Sequence, residues 1–389
     1  MRNDSGTQIN RGGQAAGAWQ QVRDGLGAES GVEQRSNLMH AQDRGGRVSA
    51  VPVDIAVRIE QLMLLVVAQC TPRCSGPFRQ FTDQHEFTPS EFWLDLDPDV
   101  NAYLLPMIPS APNSAGSSLP PAPSMSSDTV SQLLAQVDVV DIGSGPVVAV
   151  AHGAGGGVRE NFAPLSEATP GEARFVGPYY PGSGDTPPAT DPLDVTTLAD
   201  QVVAAGIQRG AHRFPIVGLS LGAAVAVTAA VRHPEHVSAL VLTVGVARPD
   251  PQLTTFTGVW QTLAAAGEWN ALAELLVYAS GTAESLSRMT EQDVADAVTA
   301  TLAAYPRGGA AHAELASRAD VTPLLSDVAV PTLVIVGGQD RIVLPDTARS
   351  LAAIPGSTLI EYPDAGHIFG TPHTGQWATD VHDFLRQPR

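Results

Sequence analysis

A serine flanked by glycines is the first group in this sequence that could act as a nucleophile. Ser220 is the centre of Gly-Leu-Ser-Leu-Gly at 218–222, between an apolar run at 216–219 and a small-residue run at 221–232. The two runs predict a buried strand followed by a helix. A sharp turn between them needs small residues at both ends of the motif, and it exposes the hydroxyl beside free N–H groups of the helix start. We therefore predict Ser220 as the nucleophile.

A serine hydroxyl needs a general base, and the base needs a carboxylate that orients it. Asp340 follows one predicted strand, and His367 follows the next through a glycine-bearing loop. Because the carboxyl ends of parallel strands meet at one edge of a sheet, we expect both side chains near Ser220. Asp346 and His373 are the alternatives, but Asp346 stands at a predicted helix start, typical of a cap, and His373 lies in a proline-flanked loop.

Backbone donors are also needed for the oxygen that becomes negative in the transition state. The N–H of Leu221, directly after the nucleophile, is one predicted donor. The other is expected from the loop His-Gly-Ala-Gly-Gly-Gly that starts at His152: Ala154 first, or else Gly155, with Gly153 as a further candidate. Glycines there let the backbone approach a substrate closely. The histidine is expected to brace this loop.

Composition narrows the classes of partner. The 389-residue chain has a net charge of −18 at pH 7, which argues against binding to nucleic acid or anionic lipid. The glycine-rich loop matches neither nucleotide-binding pattern, and the sequence contains no lysine for a phosphate loop. No apolar run approaches the ~18 residues of a membrane span. We expect a small-molecule substrate, no membrane contact, no metal and no cofactor.

The few cysteines and the high charge bear on location and assembly. Two cysteines are too few for a disulfide framework, and the first residues lack the apolar core of a secretion signal. The sequence therefore predicts a cytoplasmic protein. A surface of this charge predicts a monomer or a weak homodimer.

The chain changes character near residue 125. Residues 1–124 have few periodic apolar patterns and end in a Pro/Ser-rich stretch, so we predict an N-terminal extension, largely disordered or linker-like. Beyond it, strand and helix patterns alternate, which is typical of a parallel sheet with helices on both faces. Predicted strands are 147–151, 174–180, 216–219, 237–244, 332–336 and 358–362, and predicted helices are 195–209, 221–232, 350–354 and 377–385.

Residues 247–327 carry helical patterns only. We interpret this segment as a helical cap over the carboxyl edge of the sheet, and 125–246 with 328–389 as the α/β core.

Residues from about 130 to 389 resemble the α/β-hydrolase superfamily. The resemblance rests on His-Gly at 152–153, the serine motif at 218–222, Gly-Gly-Gln-Asp at 337–340 and Ala-Gly-His at 365–367. It implies an eight-stranded, mostly parallel sheet, a Ser/Asp/His triad and a cap inserted after the sixth strand. The sequence departs from the superfamily at one position. Capped members often have an aspartate at the start of the turn after the fourth strand, and this chain has Tyr179 there.

These residues predict hydrolysis of an ester, thioester or lactone through an acyl-enzyme. Aromatic and leucine side chains of the predicted cap favour a small or medium apolar substrate: Phe256, Trp260, Trp269, Leu276 and Tyr278. The same residues are compatible with an acyltransferase, a cyclase or a ligand-binding relic. Cofactor-free haloperoxidase-like chemistry and C–C bond hydrolysis also remain open.

Overall fold

The strands form where the sequence has short apolar runs. The computed structural model describes residues 119–168 and 170–387. Most of the predicted N-terminal extension, up to residue 118, lies outside the described residues. The strands are β1 (Val139–Ser144), β2 (Val147–Ala151), β3 (Ala173–Pro178), β4 (Phe214–Leu219), β5 (Val237–Thr243), β6 (Thr332–Gly337) and β7 (Thr358–Tyr362).

Eleven α-helices and two 3₁₀ helices of the described residues connect or flank these strands. They are α1 (Ser127–Leu133), α2 (Val158–Ala168), α3 (Val195–Gln208), α4 (Leu221–Arg232), α5 (Pro251–Ala266), α6 (Trp269–Ser280), α7 (Ala283–Ser287), α8 (Glu291–Ala304), α9 (Gly309–Ala316), a 3₁₀ helix at Thr322–Asp327, α10 (Pro345–Arg349), a 3₁₀ helix at Ser350–Ala353 and α11 (His373–Arg386). Every described element between β5 and β6 is helical, so the all-helical segment is inserted in the chain between these two strands. None of the described helices is long and apolar enough to span a membrane.

The sheet order is β1-β3-β2-β4-β5-β6-β7. β1 runs antiparallel to β3, and the other neighbours are parallel. Parallel neighbours require crossover connections, which the helices supply. As a result β2, β4, β6 and β7 all end at the same edge, where the glycine-rich loop, Ser220, Asp340 and His367 follow them.

The resemblance implies eight strands, whereas the described residues contain seven, and the all-helical segment follows the fifth of these. β1 is the edge of the described sheet, and the residues before it form α1. Arg209 donates to the carbonyl of Val139 at 2.9 Å. This carbonyl, at the edge of the sheet, is therefore hydrogen-bonded by a side chain and not by a further strand. Arg174 and Arg209 both bind the carboxylate of Asp141 on the same strand.

Neighbouring residues on the central strands point to opposite faces of the sheet, as strand geometry requires. Ile216 and Leu240 pack with α3 and α4 on one face. Val217 and Val241 pack with α2 and α11 on the other. All four side chains are fully buried. Each stabilises the fold by about 1.5–3 kcal/mol relative to an exposed side chain. Two apolar layers therefore fix the positions of the strand ends.

Candidate active site

Ser220 lies in the turn between β4 and α4. Its backbone has φ 55° and ψ −118°, a left-handed conformation that is uncommon for a residue other than glycine. Such a conformation costs about 1–3 kcal/mol, so the surroundings must hold it in place. The N–H of Ser220 donates to Thr243 O at 3.0 Å, and its carbonyl accepts from the N–H groups of Ala223 and Val246 at 3.0 and 3.1 Å. These three bonds fix the turn from β5 and from α4.

The two glycines of the motif have no room for a side chain, as the sequence predicts. A Cβ atom at Gly222 would lie 1.9 Å from the carbonyl oxygen of Ala151 in β2. A Cβ atom at Gly218 would lie 2.4 Å from the carbonyl oxygen of Gly222. Both contacts are with backbone atoms, which cannot move aside without moving the strand or the turn. Gly222 therefore permits the close approach of α4 to β2, and Gly218 permits the sharp turn between β4 and α4.

The structure brings Ser220, His367 and Asp340 together. His367 Nε2 lies 3.1 Å from Ser220 Oγ, and His367 Nδ1 lies 2.7 Å from Asp340 Oδ2. A carboxylate only accepts hydrogen bonds, so Nδ1 carries the proton and Nε2 is left to accept one from the hydroxyl. The other carboxylate oxygen of Asp340 accepts from the N–H groups of Ile342 and Val343 at 2.8 and 3.0 Å. This arrangement orients the imidazole toward the serine.

The alternative acid and base have partners elsewhere. Asp346 is 94% exposed and forms an ion pair with Arg349. It lies in the first turn of α10. His373 binds the carboxylate of Asp364 at 2.9 Å. The geometry therefore favours Asp340 and His367 over these two alternatives.

Two of the four predicted backbone donors are already hydrogen-bonded. Gly153 N–H donates to Oδ1 of Asn161 at 2.9 Å, and Gly155 N–H donates to Nδ1 of His312 at 3.3 Å. In the described part of the chain, the N–H groups of Leu221 and Ala154 have no such partner. The geometry therefore favours Leu221 and Ala154 as donors over Gly153 and Gly155, whose N–H groups have partners within the protein.

His152 holds the glycine-rich loop, as the sequence predicts. Its Nε2 accepts from the N–H of Tyr180 at 2.9 Å, so Nδ1 carries the proton and donates to Gly153 O at 2.8 Å. Burial, and to a lesser extent His312, lowers the pKa of His152 to about 3. The ring is therefore neutral at physiological pH and links the loop to the residues after β3.

His312, on α9 between β5 and β6, is a further residue of the site that was not predicted from the sequence. Its Nδ1 accepts from Gly155 N–H, so the protonated Nε2 donates to Pro181 O at 3.0 Å. This one ring joins α9, the glycine-rich loop and the loop after β3. Burial lowers the pKa of His312 to about 4. The sequence feature that could have indicated this residue is a single histidine in the alanine-rich stretch Gly-Ala-Ala-His-Ala at 309–313.

Protonation of His312 is expected to destabilise the fold in acid. Its pKa is about 6.5 when unfolded and about 4 when folded, so the unfolded chain takes up the proton first as the pH falls. The neutral ring's contribution to the unfolding free energy is complete above pH ~6.5 and is lost progressively as the pH falls to ~4. His312→Gln keeps a donor and an acceptor without titrating. Between these pH values, the wild type should lose about 3 kcal/mol more unfolding free energy than the variant.

Urea unfolding at both ends of this pH range measures the difference. His212→Gln is the matched control, because His212 is exposed and remote from the glycine-rich loop. The control should lose as much stability as the wild type. Equal losses in the wild type and in His312→Gln would contradict the assignment.

A cavity of about 610 Å³ opens above Ser220. The all-helical segment and the loop after β7 form its walls. Apolar side chains on these walls include Leu253, Phe256, Trp260, Leu276, Ile342 and Phe369. Of the five side chains expected to line or pack the cap, Trp269 and Tyr278 are 48% and 59% exposed. Ser220 therefore lines a cavity whose walls carry both large apolar side chains and polar ones.

Several known proteins are similar to this chain. The family model described as alpha/beta hydrolase fold matches residues 146–371. A pyrrolizixenacetamide deacetylase of Xenorhabdus hominickii is 30% identical over 254 residues, which cover 64% of this chain and 95% of that protein. A pimeloyl-[acyl-carrier protein] methyl ester esterase of Neisseria meningitidis is 31% identical over 247 residues, covering 60% of this chain and 91% of the esterase.

Solved structures show the same fold. The enol-lactonase of Burkholderia xenovorans LB400 superposes with a TM-score of 0.57 at 24% identity, covering 64% of this chain and 96% of the lactonase. The matched family model spans more than half of the sequence and contains Ser220, Asp340 and His367. This chain therefore belongs to the alpha/beta hydrolase fold family.

Proposed function

We propose that this enzyme is a serine hydrolase that cleaves a small or medium apolar ester, thioester or lactone through an acyl-enzyme on Ser220. At the level of reaction class it is an enzyme of the carboxylic ester hydrolase type. The observation that carries the proposal is the continuous hydrogen-bond chain from Asp340 through His367 to Ser220. A hydroxyl with an imidazole nitrogen at hydrogen-bond distance can be deprotonated as it attacks a carbonyl carbon.

In the acylation step, Ser220 Oγ forms a bond to the carbonyl carbon while His367 Nε2 takes the hydroxyl proton. Asp340 stabilises the imidazolium that results and holds its orientation. When the tetrahedral intermediate collapses, Nε2–H gives the proton to the leaving oxygen or sulfur. Water then attacks the acyl-enzyme by the same route, with His367 again as the base, and releases the acid and the free serine.

The oxyanion is stabilised by the N–H groups of Leu221 and Ala154, the two predicted donors with no other partner. Leu221 is the first residue of α4, so the positive end of the helix dipole acts at the same place. Gly153 brings the loop against the nucleophile, because a Cβ atom there would lie 3.3 Å from Ser220 Cβ. Each such donor is worth about 3–4 kcal/mol of transition-state stabilisation.

The cavity supports the choice of substrate class. Its volume of about 610 Å³ suits a small or medium molecule, and its walls carry large apolar side chains such as Leu253, Phe256 and Trp260. Three carboxylates, from Glu160, Glu284 and Asp364, lie on the cavity wall with one arginine, Arg288. This charge balance disfavours an anionic acyl group. The deacetylase and the methyl ester esterase among the relatives support acyl chemistry of this kind.

Trapping the covalent intermediate tests the proposal. Acid quenching during turnover of p-nitrophenyl butyrate should give an intact protein mass that is larger by one butyryl group, located on Ser220 by peptide mapping. If deacylation is too fast for the butyryl-enzyme to accumulate, a fluorophosphonate labels the nucleophile instead, because water does not release its adduct. An adduct on another residue, or no adduct with either reagent in an active preparation, would refute the proposal.

Adding an alcohol or amine to the same reaction distinguishes hydrolysis from acyl transfer. We expect the free acid as the main product. A transferred acyl group as the main product would instead support the acyltransferase alternative.

A further inference from the structure

A second cavity of about 260 Å³ lies beside the catalytic cavity. Its walls come from the glycine-rich loop, the loop after β3 and the residues after α8. The side chains and backbone that face it belong to Gly156, Tyr179, Ser183, Tyr305 and Arg307, with Glu160 as a shared wall of both cavities. Because the two cavities share a wall residue, they are neighbours, and a short stretch of protein separates them.

A hydrogen-bonded aromatic pair from the all-helical segment forms part of the wall between the two cavities. Trp260 is a wall of the catalytic cavity, and Tyr305 is a wall of the second cavity. Trp260 Nε1–H donates to Tyr305 Oη at 2.8 Å, and the ring centroids are 6.2 Å apart. On the other side of the separation, Gly155 faces the catalytic cavity and Gly156 faces the second one.

The indole of Trp260 is held in place from three directions. A Cβ atom at Gly155 would lie 2.7 Å from the indole, so the ring packs directly against the glycine-rich loop. Phe256 packs edge-on against its other side, with ring centroids 5.8 Å apart. Tyr305 holds the indole nitrogen. Only 4% of Trp260 is exposed. The ring is therefore a rigid wall.

The chemistry of the site indicates which part of a substrate meets this wall. In the proposed mechanism the leaving oxygen must lie within reach of His367 Nε2, and the carbonyl oxygen faces the N–H groups of Leu221 and Ala154. Gly155 follows Ala154 in the glycine-rich loop and packs against the indole of Trp260. An acyl chain that runs along this loop, away from His367, would therefore meet Trp260.

We propose that the Trp260–Tyr305 pair closes the acyl end of the catalytic cavity and so limits the length of the acyl group that Ser220 accepts. The second cavity is the space into which a longer acyl chain extends once the pair is removed. This inference rests on the proposed function, and it assigns a substrate-length limit to two residues of the all-helical segment. Both residues act by direct contact with the acyl chain or with each other.

Trp260→Ala tests the inference with p-nitrophenyl esters graded from acetate to dodecanoate. In the wild type, kcat/KM should fall sharply once the chain reaches the indole. In the variant, the ratio of kcat/KM for decanoate to that for acetate should rise by about tenfold or more, because several methylenes gain contacts that the indole blocks in the wild type. Trp269→Ala is the matched control: Trp269 also packs on Tyr305, with centroids 5.9 Å apart, but it lines neither cavity. Its chain-length profile should equal that of the wild type.

Filling the second cavity should reverse the effect. Ala304 lines that cavity, so Ala304→Trp added to Trp260→Ala should restore the preference for short chains. If Trp260→Ala fails to fold, Trp260→Leu provides a smaller truncation for the same assay. An unchanged chain-length profile in a folded variant would overturn the inference, as would an equal gain for every ester.

A Ser220→Ala change in the Trp260→Ala background separates the two proposals. Activity that survives this change would refute the role of Ser220 in the proposed function, whatever the chain-length profile shows.

Discussion

Ser220→Ala is expected to lower kcat for p-nitrophenyl butyrate by about a millionfold, to the residual rate that binding and the oxyanion donors supply. The Oγ atom is the atom that would form the covalent bond, and it lies 3.1 Å from His367 Nε2. The side chain of Ser220 makes no capping hydrogen bond to α4, so alanine leaves the helix start intact. We therefore expect the thermal unfolding temperature to change little while activity is lost.

Initial rates and thermal unfolding of the same preparations separate these two effects. Ser131→Ala is the control, because Ser131 lies on α1, its hydroxyl donates to Ser127 O, and it does not line the catalytic cavity. The control should retain the wild-type rate. A Ser220→Ala protein that keeps even a hundredth of the wild-type kcat would exclude acyl-enzyme formation on this residue.

The residues that follow strand ends could be predicted from the sequence, because local pattern determines where they lie. Leu221–Arg232 has the observed helix bounds, and Thr358–Tyr362 and Val147–Ala151 have the observed strand bounds. Once these strands are parallel, Ser220 and His367 must lie at one edge. Their convergence is therefore a consequence of topology, which apolar periodicity reveals without knowledge of any side-chain contact.

Features that depend on tertiary hydrogen bonds could not be predicted in this way. The occupation of the Gly153 and Gly155 N–H groups depends on Asn161 and His312, and His312 is 157 residues away from Gly155 in the sequence. Strand β1 was also missed: its sequence, Val-Val-Asp-Ile-Gly-Ser, is short and partly polar, and only its second residue is buried. The pairing with β3 makes it a strand, and that pairing is not visible in a local pattern.

The structure also shows how the all-helical segment contributes to the site. His312 reaches the glycine-rich loop from α9, and Trp260 packs on the same loop from α5. The loop carries Ala154, one of the two available backbone donors. These helices, which the sequence suggests only as a cap over the sheet edge, therefore help to hold the loop whose backbone would stabilise the oxyanion in the proposed mechanism.

Asp340→Asn is expected to lower kcat by about 10⁴-fold while leaving the fold intact. In the wild type, one carboxylate oxygen accepts from the N–H groups of Ile342 and Val343, and the other accepts from His367 Nδ1–H. The amide oxygen of asparagine can still accept from both backbone N–H groups. Its NH₂ group must then face His367 Nδ1. A donor in that place forces Nδ1 to accept, so the proton moves to Nε2, which can no longer take the proton of Ser220.

Steady-state kinetics and nitrogen NMR of the imidazole measure the two halves of this prediction for Asp340→Asn. The NMR signals should show the proton on Nε2 in the variant and on Nδ1 in the wild type. Asp346→Asn is the matched control, since Asp346 is the alternative acid of the sequence analysis and is 94% exposed, paired with Arg349. It should keep the wild-type rate and tautomer, because an exposed ion pair contributes about 0–1 kcal/mol. A large loss of kcat in the control, with little loss in Asp340→Asn, would transfer the orienting role to Asp346 and contradict the geometry at His367.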